Sequence, residues 1–229
     1  VIDFAEPRLL LDAKAKAIHA NDLIFNSEKK LLRDVDGHLE IDRDGLTFAP
    51  VDVRLDGGTN ASVQGTISFH PPYDVLLDIT SDFANVGESV GLWAGHTTKP
   101  KEHLETGDKN TQATSRVTIK AQAKSGNLYG MNFHDATATI TPTRQRLIIH
   151  PLHFSVGEGS CNAQVITDFS TIDQATMLRV TGHAEDVDAL AVYSELLKQR
   201  NILRGKLDGD FFINGEIGAR YLPSSYGNF

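Results

Sequence analysis

The stretch "LTFAPVDVRLDGGT", residues 46–59, changes parity in its middle. Leu46 and Phe48 are apolar on even positions, and after Ala49-Pro50 the apolar residues Val51, Val53 and Leu55 occupy odd ones. Side chains alternate sides along a strand, so a regular strand would place one of these sets on the wrong face. Proline lacks the ladder donor and belongs at an edge or a bulge, and a bulge adds one residue that returns both sets to a common face. One long bent strand with a single apolar side is therefore expected. The same change recurs in "LIIHPLHFSVGEGS", residues 147–160, with Leu147 and Ile149 before Pro151 and Leu152, Phe154 and Val156 after it. Bends repeated at one level would curve a sheet into a trough.

The flanking segments read as strands. "DVDGHLEI" alternates Val35, Leu39 and Ile41 with Asp36, His38 and Glu40, "SVQGTISF" groups Val63, Ile67 and Phe69, and "DVLLDIT" groups Val75, Leu77 and Ile79. "DRDG" (42–45), "DGG" (56–58) and "HPP" (70–72) supply turns between them, which predicts an antiparallel meander. The composition suits a folded chain: 40% of the 229 residues are hydrophobic and 23% charged, so wholesale disorder is excluded. A formal charge of -8 argues against nucleic acid as a partner, because that affinity rests on Lys and Arg neutralising phosphates. No apolar run approaches the ~18 residues of a membrane-spanning helix. The single cysteine, Cys161, leaves the redox compartment open.

The bent strand is one part of a larger self-similarity. "DAKAKA" (12–17) has a counterpart in "IKAQAK" (119–124), "GTISF" in "VITDF" (165–169), and "VLLDIT" in "TMLRVT" (176–181), giving a unit of about a hundred residues that occurs twice. Each unit is followed by a helical signal. "EDVDALAVYSELLKQR" offers Asp186 as N-cap, Val187, Leu190, Ala191 and Leu197 at helical spacing, and Lys198 and Arg200 at its end; "ANVGESVGLWAG" is a weaker version with Val86, Val90 and Trp93. The expected organisation is a first β-groove unit over 1–95, a polar loop over 96–115, a second unit over 116–200 with a helix at 186–200, and the start of a further unit over 201–229. The chain opens on Val1 and closes on "YLPSSYGNF", which reads as a piece of a longer protein.

A search for catalytic motifs is negative. The sequence holds no G-x-S-x-G elbow, H-E-x-x-H or P-loop, and "GEGSCN" (157–162) lacks the third glycine of a dinucleotide fingerprint. His150 and His153 would turn outward together across a bulge at Pro151, but a structural zinc needs four ligands and the first unit has Ala49 and Asp52 there, so both read as solvated. His96 and His103 in the polar loop read the same way. Asp42/Asp44, Asp186/Asp188 and Asp208/Asp210 each adjoin a turn or helix start, where Asp bonds backbone, and none completes a calcium loop. Cys161 has no basic neighbour in sequence to activate it. No metal, cofactor or enzymatic activity is expected.

The apolar stripe remains. Val53, Leu55, Val63, Ile67, Val75, Leu77 and Ile79 in the first unit correspond to Phe154, Val156, Val165, Phe169, Leu178 and Val180 in the second. Such a stripe is either a sandwich or barrel core closed by its own side chains, or an open trough of aliphatic groups. The trough would suit acyl chains, whose burial is worth ~0.8 kcal/mol per methylene, or ~10 kcal/mol for a long chain.

The order of "VTIKAQAKSGNLYGMNFHDATATI", "LIIHPLHFSVGEGS", "LRVTGHAEDVDALAVYSELL" and "LRGKLDGDFFINGEIG" resembles the C-terminal region of bacterial AsmA-like proteins. Members read as a strand ending in D-V-D, a helix, and a strand of the L-x-G-x-L-x-G kind, here Asp186-Val187-Asp188, the helix, and Leu203 through Gly215. The first unit departs from this, with Asn85-Val86-Gly87 at the D-V-D place. The resemblance implies an envelope protein of a diderm bacterium, anchored in the inner membrane by a segment absent from this chain and largely periplasmic. It implies the fold of repeating β-groove lipid-transfer proteins, with curved antiparallel sheets forming a hydrophobic slide for phospholipids between the inner and outer membranes. Partners would be phospholipid acyl chains and membrane or envelope proteins at the ends of the full-length chain. The alternative is a scaffold for outer-membrane protein assembly, pairing client strands at open sheet edges. A carbohydrate-active solenoid fits poorly, because one tryptophan supplies no aromatic platform.

Overall fold

A computed structural model of the chain describes residues 2–3, 8–19, 31–87, 115–128, 130–143, 146–168, 177–192, 204–216 and 226–228. The described residues are overwhelmingly β. The strands are β1 Ile2–Asp3, β2 Arg8–His19, β3 Leu31–Ile41, β4 Gly45–Leu55, β5 Asn60–Ser68, β6 Tyr73–Asn85, β7 Ser115–Leu128, β8 Met131–Pro142, β9 Arg146–Val156, β10 Gly159–Asp168, β11 Met177–Asp188, β12 Lys206–Glu216 and β13 Tyr226–Asn228. Hydrogen-bonded neighbours follow chain order from β1 to β13 and pair antiparallel. One short helix, α1 Ala189–Ala191, follows β11.

The chain divides into two compact units, residues 1–79 with 88–118, and residues 80–87 with 119–229. The division falls inside β6 and β7 rather than in the polar stretch 96–115, which lies outside the described residues except for Ser115. β12, expected to open a further unit, belongs to the second compact unit and pairs with β11 from Met177↔Glu216 to Asp188↔Lys206.

In the first unit β4 is bent at the expected place. Its register against β5 runs from Phe48↔Gly65 to Val51↔Val63, so β4 spends one extra residue at Ala49-Pro50. Leu46 and Phe48 before the bulge and Val51, Val53 and Leu55 after it all take the less exposed positions, while Thr47, Asp52 and Arg54 are exposed. The three turns form as expected. Asp42 closes the first by accepting the backbone N–H groups of Asp44 (2.8 Å) and Gly45 (2.9 Å), which hold its carboxyl below the usual Asp range. In the second, Gly58 takes a φ of 97°, the left-handed conformation that glycine adopts without strain. Phe69 does not extend β5: the strand ends at Ser68, and Phe69 stands 46% exposed where the chain turns through Pro71 and Pro72.

In the second unit β9 bends in the same manner, between Ile149↔Val165 and Leu152↔Ala163. β11 carries a different bulge, between Ala184↔Gly209 and Val187↔Leu207, with Asp186 at φ 55°. This corrects the helix start. Asp186 is the bulge residue, β11 runs on through Asp188, and Asp188 is the N-cap, its Oδ1 accepting the Leu190 N–H at 2.9 Å. Asp is enriched among residues that tolerate the left-handed region, which is why Asp186 fits the bulge. Residues 193–200 of the expected helix lie outside the described residues; of the weaker helical signal, Ala84 and Asn85 end β6, Val86 and Gly87 are helical, and the rest, Trp93 included, lies outside the described residues.

Candidate functional site

Pairing register and burial together assign the faces of each unit. In the first, the cross-strand row Leu9, Ile41, Leu46, Ile67 crosses β2 to β5 at one end, and Leu11, Leu39, Phe48 lie one row further in. Val51 faces Val63 and Val53 faces Ala61 beyond the bulge. Val75, Leu77 and Ile79 take the less exposed positions of β6, alternating with Leu76, Asp78 and Thr80. The result is an almost wholly aliphatic face. Its side chains are only half-buried: Val53, Val63, Ile67, Val75, Leu77 and Ile79 are all of intermediate exposure, Leu9 and Leu11 are exposed at 37% and 40%, and Leu55 alone is buried, at 7%. A closed core would bury these residues almost completely.

The opposite face holds the charges. Lys14 pairs with Asp36 at 3.1 Å, Asp12 with His38 at 2.6 Å, Arg54 with Asp34 at 3.5 Å, and Arg8 with Glu40. Exposed pairs of this kind contribute little stability each, but they commit that side of the sheet to water. The second unit repeats the division. Val165 and Val180 are cross-strand partners, Leu178 faces Thr167, and all three apolar side chains are half-buried. On the other side Arg146 pairs with Asp168 at 3.2 Å and His183 with Asp210 at 2.9 Å.

One end of the second unit is different. Val156 (2% exposed), Met131, Cys161 and Val187 (1% exposed) form a closed core, with Phe154, Ala184, Ala191 and Val192 packed against it and Phe133 edge-on to Phe154 at 6.3 Å. Val156 is therefore filled in by protein and offers no free surface, and Phe154 is half covered by the same cluster. This was not readable from alternation, because what covers Val156 comes from α1 and β11, some thirty residues on. Burial pushes the Cys161 thiol up to about 11, which leaves it protonated and unreactive at neutral pH. Phe169 lies outside the described residues.

His150 and His153 are both exposed, as a bulge at Pro151 requires, and His153 Nδ1 lies 2.6 Å from Asn162 Oδ1. Among the described residues no three His, Cys, Asp or Glu side chains gather as a metal site would need. His96 and His103 lie outside them. A hollow on the second unit is lined by residues 150–152 of β9, 162–164 of β10, 181–183 of β11 and 210–212 of β12, so its wall includes Leu152, Ala163, Gly182 and Phe211 as well as polar side chains.

No family model, no curated protein and no solved structure matches this chain.

Proposed function

We propose that the chain is a non-enzymatic lipid-binding segment of an AsmA-like protein of the bacterial envelope, holding phospholipid acyl chains on the apolar face of its sheet for passage between the inner and outer membranes. The observation that carries the reading is that face: aliphatic, continuous from β2 to β6 in the first unit, and left half-exposed. Exposed hydrocarbon on this scale is costly in water, and an acyl chain laid along it would remove that cost at ~0.8 kcal/mol per methylene. Aliphatic side chains without hydrogen-bonding groups suit a ligand that has none, and no single residue would be essential.

In this reading the sheet is a trough built from two copies of one unit. Two features support the duplication. The β4 bulge between Phe48 and Val51 has its counterpart between Ile149 and Leu152 of β9, and the left-handed Asp34 of β3 has its counterpart in Asp135 of β8 at the same interval. The periplasmic location and the inner-membrane anchor come with the family resemblance and belong to the same proposal. The contact residues are Val53, Val63, Ile67, Val75, Leu77 and Ile79 in the first unit and Val165, Leu178 and Val180 in the second; Leu55 is left out because it is buried, at 7% exposure. Val156 is left out because its core is closed.

Organic extraction of the chain purified from a diderm bacterium tests this. Mass spectrometry is expected to recover diacyl phospholipid in at least stoichiometric trace over a mock purification. A chain that purifies without lipid, and takes up none from phosphatidylethanolamine vesicles, contradicts the proposal.

A further inference from the structure

Both ring nitrogens of His134 on β8 face oxygen atoms that can only accept. Nδ1 lies 2.7 Å from Oδ2 of Asp135, the left-handed bulge residue, and Nε2 lies 2.8 Å from the carbonyl oxygen of Gly157 in the β9–β10 turn. A neutral imidazole carries one N–H and can satisfy one of these partners, whereas the imidazolium donates to both. The first unit uses the same arrangement with a different cation. Arg33 precedes the left-handed Asp34, and its Nε donates to Asp56 in the turn between β4 and β5. An arginine never loses its proton in this range, so that tie is permanent.

We propose that His134 is a protonation-dependent latch that ties the bulge of β8 to the β9–β10 turn, the titratable counterpart of the permanent tie made by Arg33. The turn it holds follows directly on Val156, the 2%-exposed residue of the closed core, so release of the latch loosens the edge of that core. The Gly157 carbonyl first and the Asp135 carboxylate second raise the imidazole's affinity for its proton above the ordinary value of 6.5. The surrounding charges are already paired: Glu158 of the same turn with Lys206 of β12 at 3.5 Å, and Lys124 of β7 with Asp82 of β6 at 2.6 Å. Ser125 and Ser155, the register partners of His134 on β7 and β9, are uncharged. A raised folded value means the latch is fully engaged below about pH 6.5 and is lost as pH rises through the higher folded value. The latch is independent of whether the apolar face carries lipid.

Nitrogen-15 spectra of the imidazole ring, with amide hydrogen exchange at Glu158 and Gly159, test it on the whole chain. Wild type is expected to titrate above 6.5, with protection of these amides falling on the order of tenfold from pH 6 to pH 8.5 after correction for intrinsic exchange. His134→Arg should remain protected throughout, and His134→Gln should exchange fast throughout. A midpoint at or below 6.5, or a wild-type profile that matches His134→Gln at pH 6, overturns the proposal.

Discussion

Val53→Asp, Leu77→Asp and Leu178→Asp are each expected to lose most of the lipid that co-purifies with the wild-type chain, by about tenfold or more. All three side chains are half-buried, and the cross-strand neighbours of two of them are uncharged, Ala61 for Val53 and Thr167 and Gly215 for Leu178. A carboxylate there meets hydrocarbon on the side where the ligand would lie, and an unpaired charge against an acyl chain costs several times the ~1.4 kcal/mol that a tenfold loss requires. Because the residues are not fully enclosed, each Asp can reach water in the empty protein, so the chain should still fold. Circular dichroism with strand content unchanged, alongside depleted lipid, is the expected pair of results. Lipid at wild-type levels in all three variants would count heavily against an acyl-binding face.

Gly65→Ala is expected to destabilise the first unit by about 3 kcal/mol, among the largest effects of any single methyl group added to this chain. A Cβ at Gly65 would lie 2.1 Å from the carbonyl oxygen of Leu76 and 3.1 Å from the Cα of Leu77. Both atoms belong to backbone and cannot rotate away, so β5 and β6 would have to separate. Gln64→Ala, one residue earlier and exposed, should stay within about 0.5 kcal/mol of wild type. Urea denaturation of the two variants makes the comparison, and a Gly65→Ala chain as stable as Gln64→Ala would mean that β6 does not approach β5 this closely.

The bulges at Pro50 and Pro151 were legible in the sequence because two signals coincided there, a break in apolar alternation and a residue that cannot donate to the ladder. The bulges at Asp34, Asp135 and Asp186 were not, since Asp serves turns, caps and left-handed positions alike. That ambiguity produced the misplaced helix start: Asp186 and Asp188 are equally good N-caps in sequence, and only the left-handed backbone at Asp186 and the bond from Leu190 to Asp188 separate them. Phe69 was drawn into β5 by parity alone, although the prolines that follow end the strand at Ser68. Alternation also correctly assigned Val53, Leu77 and Val180 to the less exposed positions. It could not distinguish half-exposed Val53 from fully enclosed Val156, because that depends on which distant element covers each one. The latch at His134 was equally hidden, being made by a backbone carbonyl twenty-three residues away.

If acyl chains lie on one face of β4 and water on the other, adjacent positions on that strand must differ in what they capture. A photoreactive residue would be placed at Val53 in one chain and at Arg54 in another, both expressed in a bacterial periplasm and irradiated there. Val53 is half-buried on the apolar face, and Arg54 is exposed beside Asp34 on the polar one. Lipid captured at Val53 and absent at Arg54 is the predicted result; capture at neither, or equally at both, would contradict it.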